Sequence, residues 1–240
     1  MNEVKIFNEV NELMNALAES IVIAAEYAIE VNGKFNFVLS GGSSPKKLYE
    51  LLASDSFKNK IDWDKTFFFF GDERFLPEDN SERNSMMVKE ALFEPLHIKS
   101  DNIFKVNPSG SPEESAKNYW DSILKHFNGK PVEFDFNLLG LGDNSHTASL
   151  FPNTSVLNEM EATVKSVFVE EVDMYRITMT APLINQSKNI VFLVFGEGKA
   201  EAVFHILEYQ AGSENEFPAR LIKSEGKVVW FLDSAAAGRL

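Results

Sequence analysis

The sequence predicts an α/β fold, a mostly parallel sheet with helices on both faces, built as a single domain over residues 1–240. Two observations lead there. The strand-like runs FFFF (67–70), IVFLVF (190–195) and VVWFL (228–232) are apolar without interruption. A strand that is apolar on both faces is buried on both, as in a parallel sheet lying between two layers of helix. Between such runs lie stretches with helical periodicity, and strand–helix alternation is the pattern of parallel crossover units.

Taken in order, VKIF (residues 4–7) is a short first strand. Residues 8–32 form a long helix, because Val10, Leu13, Met14, Leu17 and Ile21 recur on one helical face. KFNFVLS (34–40) is the second strand. The turn after it opens a helix with Ser43 or Ser44 as N-cap and Pro45 in the first turn, where a missing N–H costs nothing. TFFFFGDERF (66–75) is an apolar strand running into a charged loop. Residues 81–93 and 112–127 read as helices, and NPSGSPEE (107–114) as a mobile surface loop on its turn-forming composition. EFDFNLLGLG (133–142), RITMT (176–180), NIVFLVFG (189–196) and KVVWFLD (227–233) are strands; EGKAEAVFHILEY (197–209) is a helix.

The bulk numbers narrow the function. Hydrophobic content of 44% with 25% charged residues is that of a soluble globular protein. With no cysteine, disulfides, cysteine-ligated zinc and thiol nucleophiles are excluded, and the cytoplasm is the expected compartment. The N-terminal residues are acidic where a secretion signal is basic. The apolar stretch at 21–28 contains Glu26 and is too short to span a bilayer, so no membrane role is expected. A net charge of −13 argues against nucleic acid as a partner, since phosphate backbones need clustered Lys and Arg. An anionic small ligand would require the few cations to be gathered locally. Monomer and homodimer both remain open.

Four unusual loops, SGGSSP, GDERF, GLGDNSHTAS and GEGKA, each follow a strand directly. Parallel strands put all four on one rim, where ligands of such sheets bind. SGGSSP offers Gly41, Gly42, Ser43 and Ser44 at a helix start, where free N–H groups and the helix dipole favour an anion. A plain strand-to-helix turn would read the same, and the pattern is neither a P-loop nor a dinucleotide turn. In GDERF, Arg74 has the forked donor geometry that grips phosphate, and Asp72 can act as a base or orient one. A solvated loop with an internal ion pair is the alternative. Lys199 of GEGKA stands in the first turn of a helix, where the dipole disfavours a cation unless it serves a ligand. Arg176 and Arg220 are further candidate cations, or else members of surface ion pairs.

His146 is the one histidine in such a loop; His126 and His205 fall in helices and His97 in PLHIKSDN. A neutral imidazole can take a proton from water. One histidine with neither cysteine nor a carboxylate cluster does not make a metal site. No GxSxG elbow supplies a serine nucleophile. A water-activating base beside a phosphate-binding rim remains.

FVLSGGSSPKKLYELL, FFGDERFLPEDNSERNSMM, LLGLGDNSHTASLFP, RITMTAPLIN, FLVFGEGKAEAV and FPARLI occur in that order over residues 37–233. Together they resemble the successive motifs of the 6-phosphogluconolactonase family. The resemblance implies a Rossmann-like α/β fold shared with glucosamine-6-phosphate deaminase. It also implies hydrolysis of a small phosphosugar lactone, 6-phospho-D-glucono-1,5-lactone, in the oxidative pentose phosphate pathway, with no metal or organic cofactor. His146 matches the family's catalytic histidine, and Gly41, Gly42, Ser43, Arg74 and Lys199 match positions that hold the phosphorylated substrate. The alternatives are a deaminase-like isomerase and a non-catalytic phosphosugar-binding protein. Asp-Glu-Arg in place of Asp-Glu-Tyr at 72–74 counts against the isomerase. One departure stands out: where the family reads Asp-Gly-His, this chain has Asn144-Ser145-His146. Asn144 can still accept a hydrogen bond from the imidazole and fix its tautomer, but it carries no charge. Either Asp143 or Asp72 supplies that charge, or His146 works without it. If the backbone needs a positive φ at Ser145, the strain is on the order of 1–2 kcal/mol.

Overall fold

Seven strands build one parallel sheet in the computed structural model, which describes residues 3–224 and 226–240. In chain order the strands are β1 (Glu3–Phe7), β2 (Phe35–Leu39), β3 (Thr66–Phe70), β4 (Asp72–Arg74), β5 (Ile103–Phe104), β6 (Phe136–Leu139), β7 (Val164–Val169), β8 (Met174–Met179), β9 (Asn189–Val194) and β10 (Lys227–Asp233). The helices are α1 (Val10–Asn32), α2 (Ser43–Leu52), α3 (Asn84–Val88), α4 (Pro112–Phe127), α5 (Ala181–Asn185) and α6 (Ala200–Leu207). The large sheet runs β1-β10-β9-β6-β2-β3-β5, and every pair in it is parallel.

The uninterrupted apolar strands are explained by what covers each face. Along a strand, successive side chains point to opposite faces. Phe37 and Leu39 of β2, with Phe68 and Phe70 of β3, pack under Leu13, Leu17 and Ile21 of α1 and Leu48 of α2. Val38 and Phe69, the residues between them, enter the other core with Tyr119 and Ile123 of α4 and Val203 of α6.

The chain reverses its order of travel between β2 and β6, which are neighbours in the sheet. From β2 it proceeds outward to β3 and β5; it then returns to β6 and moves the opposite way through β9 and β10. The loops leaving β2 and β6 therefore part at this point, and the resulting crevice is where open α/β sheets bind ligands.

The structure corrects several sequence expectations. Asp72–Arg74 is not a charged loop but a strand of a second, antiparallel sheet, β4-β8-β7. Three consecutive charged residues carry no strand periodicity, and pairing with β8 alone makes them extended. β7 and the short β5 and α5 are additional elements. The N-cap of α2 is Gly42, at φ 105° and ψ 169°, and not a serine. That left-handed φ is open to glycine, and the turn leaves the helix start without a side-chain cap. The helix expected at 81–93 begins at Asn84 and passes into a π-helical turn, Lys89–Phe93. The 197–209 helix starts with a 3-10 turn, Glu197–Lys199. Of the loop at 107–114, the last residues are helical: Ser111 and Glu114 form a capping box, with bonds of 3.2 and 2.9 Å, that starts α4 at Pro112. Among the described residues no helix is long and apolar enough to cross a membrane.

Candidate active site

The four loops that follow β2, β3, β6 and β9 surround one cavity of about 350 Å³, at the small end of the range for ligand pockets. Gly41, Gly42, Asp72, Arg74, His146, Arg176 and Lys199 all line it. Hollows of 780, 930 and 400 Å³ lie along β10, beside α3 and beside α2, and none of them contains His146 or the glycine turn.

β4 explains how one tripeptide serves two tasks. In a strand, alternate residues share a face, so Asp72 and Arg74 line the cavity while Glu73 turns inward. Glu73 is 1% exposed and accepts from the backbone N–H groups of Arg74, Asn84 and Ser85 at 2.7–2.8 Å. It thereby caps α3 and holds Asn84 against the cavity. Asn84 donates to the Asp72 carbonyl at 2.9 Å and to its carboxylate at 3.3 Å. A Cβ on Gly41 would overlap the Asn84 amide, so only glycine lets this loop approach.

The His146 loop is tied down on three sides. Thr147 donates to the Gly140 carbonyl at 2.8 Å, and the Ala219 N–H to the Ser145 carbonyl at 3.0 Å. Ser149 donates to the Asp72 carboxylate at 2.6 Å. Ser145 does adopt a positive φ, 64°, the left-handed conformation that a glycine would take without strain. The imidazole lies between Gly142 and the ring of Phe151, which stacks on it at 3.9 Å and 17°. Asn144 Oδ1 sits 2.6 Å from His146 Nδ1. Asn144 Nδ2 donates to the Glu171 carboxylate at 2.7 Å, so the amide oxygen is the atom facing the ring. Nδ1 therefore carries the proton and Nε2 keeps its lone pair.

Burial pushes the His146 pKa down from 6.5 to about 4; Asp72 and Asp143 oppose the fall, while Lys199 and Arg176 add to it. The ring is thus neutral at pH 7. His126, packed among Phe67, Phe69 and Phe104 beside Asn36 at the start of β2, is pushed to about 4 by burial and by Lys34. Both folded values lie below the unfolded one, so between about pH 6.5 and pH 4 the unfolded chain binds more protons. Stability is full above that window and falls as the pH drops through it. Urea unfolding at pH 7 and pH 5 should show the loss, and His126→Gln should reduce it; equal stability at both pH values would contradict the assignment.

Arg74 and Arg176 are direct partners across β4 and β8 and so project from the same face. Arg176 is 9% exposed, and its Nε has no hydrogen-bond partner among the described residues. Burial lowers its pKa, Asp72 opposes this, and Arg74 adds to it. Like charges placed opposite one another are destabilising unless something anionic lies between them. Lys199 forms an ion pair with Asp143 at the rim. Ser43 and Ser44 form the first turn of α2 and are not among the residues that line the cavity. Arg220 is elsewhere: its guanidinium donates to the carbonyls of His205, Tyr209 and Gly212 and lies over Phe217 at 4.6 Å. Those bonds knit the chain after α6, so Arg220 is structural here. Asn84, Phe151, Glu171 and Val172 line the cavity without having been singled out from the sequence. Among the described residues no group of three metal-ligating side chains occurs.

A neutral imidazole, two facing guanidiniums and the glycine turn that opens α2 meet at the topological switch point of an α/β sheet. The chain belongs to the family described as glucosamine-6-phosphate isomerases/6-phosphogluconolactonase, which matches residues 8–230. It is 35% identical to a 6-phosphogluconolactonase of Nostoc sp., over 99% of this chain and 98% of the relative. It is 33% identical to that of Homo sapiens, over 98% and 92%. The solved structure of the 6-phosphogluconolactonase of Leishmania guyanensis superposes with a TM-score of 0.85 at 26% identity, covering 99% of this chain and 98% of that one. A monomeric glucosamine-6-phosphate deaminase, at 21% identity and a TM-score of 0.84, shares the fold.

Proposed function

We propose that this protein hydrolyses 6-phospho-D-glucono-1,5-lactone to 6-phosphogluconate, with His146 as the base that activates water. The observation that carries the reading is the neutral imidazole, its Nε2 free, in one cavity with the paired guanidiniums of Arg74 and Arg176. The substrate phosphate binds between Arg74, Arg176 and Lys199 and against the N–H groups at Gly41, Gly42 and the start of α2. This fixes the lactone carbonyl beside His146. Water attacks C1 as its proton passes to Nε2; the tetrahedral oxyanion is held by the rim's N–H groups and cations. Collapse breaks the bond between C1 and the ring oxygen, and the imidazolium returns its proton to that oxygen. The products balance as one carboxylic acid and one hydroxyl.

Substrate binding also tunes the base. Arg176 and Lys199 help hold the His146 pKa down in the free protein. A phosphate dianion between them cancels that effect, so the imidazole becomes more basic once the lactone is bound. Asp72, held by Ser149 and Asn84, adds negative charge that favours the imidazolium. We take the cytoplasm as the compartment and a small phosphosugar as the only ligand, consistent with the net charge of −13.

The test is hydrolysis of freshly made 6-phosphogluconolactone, corrected for spontaneous opening, against glucono-1,5-lactone lacking the phosphate and against ammonia release from glucosamine 6-phosphate. Fast turnover of the phosphorylated lactone alone is expected; ammonia release would make the protein a deaminase. Gly142→Ala should be nearly inactive yet folded, because the added methyl overlaps the imidazole. Retained activity in that variant would mean that His146 need not occupy this position.

A further inference from the structure

The partner of His146 Nδ1 is an amide, and neither nearby aspartate hydrogen-bonds the ring. Asp143 is paired with Lys199. Asp72 takes its hydrogen bonds from Ser149 and Asn84. The carboxylate that reaches the imidazole's partner comes from a different element. Glu171, in the turn Glu170–Val172 between β7 and β8, accepts from Asn144 Nδ2 at 2.7 Å and itself lines the cavity.

We propose that Glu171 is the positioning residue for His146, acting through the Asn144 amide. The inference rests on the reading of His146 as the base. A carboxylate accepts and never donates, so it selects the amide orientation that turns Oδ1 toward Nδ1. That bond fixes the Nδ1–H tautomer and presents the Nε2 lone pair to water. The carboxylate also polarises the amide, so part of its charge is felt by the ring when it takes a proton. An acid directly on the imidazole would do both at once; here the two tasks are split between an amide and a carboxylate 27 residues downstream. The other charged groups facing His146 are Asp72 from β4, Arg176 from β8, Lys199 from the turn before α6 and Asp143 from its own loop. None of them changes in a Glu171 variant.

The experiment compares wild type, Glu171→Gln, Glu171→Ala, Asn144→Asp and the double variant Asn144→Asp with Glu171→Ala, the last read against Asn144→Asp alone. Two readouts are taken: kcat and KM for 6-phosphogluconolactone, and the imidazole nitrogen shifts of His146, identified by their loss in His146→Gln. Glu171→Ala is expected to lower kcat about tenfold, the worth of one hydrogen bond to a charged group, with KM within twofold. Its imidazole signals move from the Nδ1–H tautomer toward a mixture. Glu171→Gln keeps an acceptor and therefore keeps the tautomer and most of kcat. In the Asn144→Asp background a carboxylate bonds the ring directly, so removing Glu171 costs nothing. Wild-type kcat and an unchanged tautomer in Glu171→Ala would overturn the proposal, as would an equal tenfold loss in the Asn144→Asp background. Absence of lactone turnover in the wild type would instead sink the lactonase reading, and the tautomer shift would still decide whether Glu171 orients His146.

Discussion

His146→Gln is expected to lower kcat for 6-phosphogluconolactone by about 10²–10⁴-fold, the usual worth of a positioned general base, while KM stays within a few-fold. Glutamine is similar in length and can occupy the slot between Gly142 and Phe151. It does not take a proton at neutral pH, so the chemistry is lost and the slot stays filled. The groups assigned to the phosphate, Arg74, Arg176 and Lys199, are untouched, and ground-state binding survives. A fall in kcat at constant KM is the signature of an interaction used only in the transition state. A kcat within tenfold of wild type would remove His146 from the role of base.

Arg176→Met should have opposite effects on binding and on stability. Arg176 is buried, faces Arg74 directly and leaves its Nε without a partner among the described residues. In the free protein that arrangement costs energy by desolvation and by like-charge repulsion. Methionine replaces the stem of the side chain and removes both costs. We expect stability to rise by about 1 kcal/mol, which moves Tm up by roughly 2–4 °C in a chain of this size. The substrate phosphate loses a charged hydrogen bond worth about 1.5–3 kcal/mol, so KM rises about 10–100-fold. Thermal unfolding and lactone kinetics on the same preparation check the pair. A higher Tm with unchanged KM would mean that Arg176 does not meet the phosphate. A lower Tm would mean that its charge is satisfied in the free protein.

The large sheet could be read from the sequence because the packing that creates it is written locally. A strand buried on both faces must be apolar at successive positions, and FFFF (67–70) and IVFLV (190–194) are. The rim could be read for the same reason: once strands are parallel, every loop at their carboxyl ends lies on one edge. What the sequence did not carry was pairing at a distance. β4 is three charged residues made into a strand by β8, a hundred residues later. Asn84 reaches the cavity only because Glu73 holds the N–H groups of α3. Glu171 meets Asn144 through the β7–β8 turn, and no local spacing announces such a contact. Arg220 illustrates the converse: a guanidinium within the FPARLI motif spends its donors on carbonyls and does not line the His146 cavity.

The central claim is that a neutral His146 lies beside a phosphate-anchored ligand. Its most direct test is the titration of the His146 imidazole by NMR, alone and with saturating 6-phosphogluconate. The account predicts a pKa well below 6.5 in the free protein that rises when the phosphosugar is bound, because the phosphate cancels the charges of Arg176 and Lys199. A pKa that does not respond to the ligand would contradict it, since the phosphate would then bind elsewhere and His146 would have no substrate to act on.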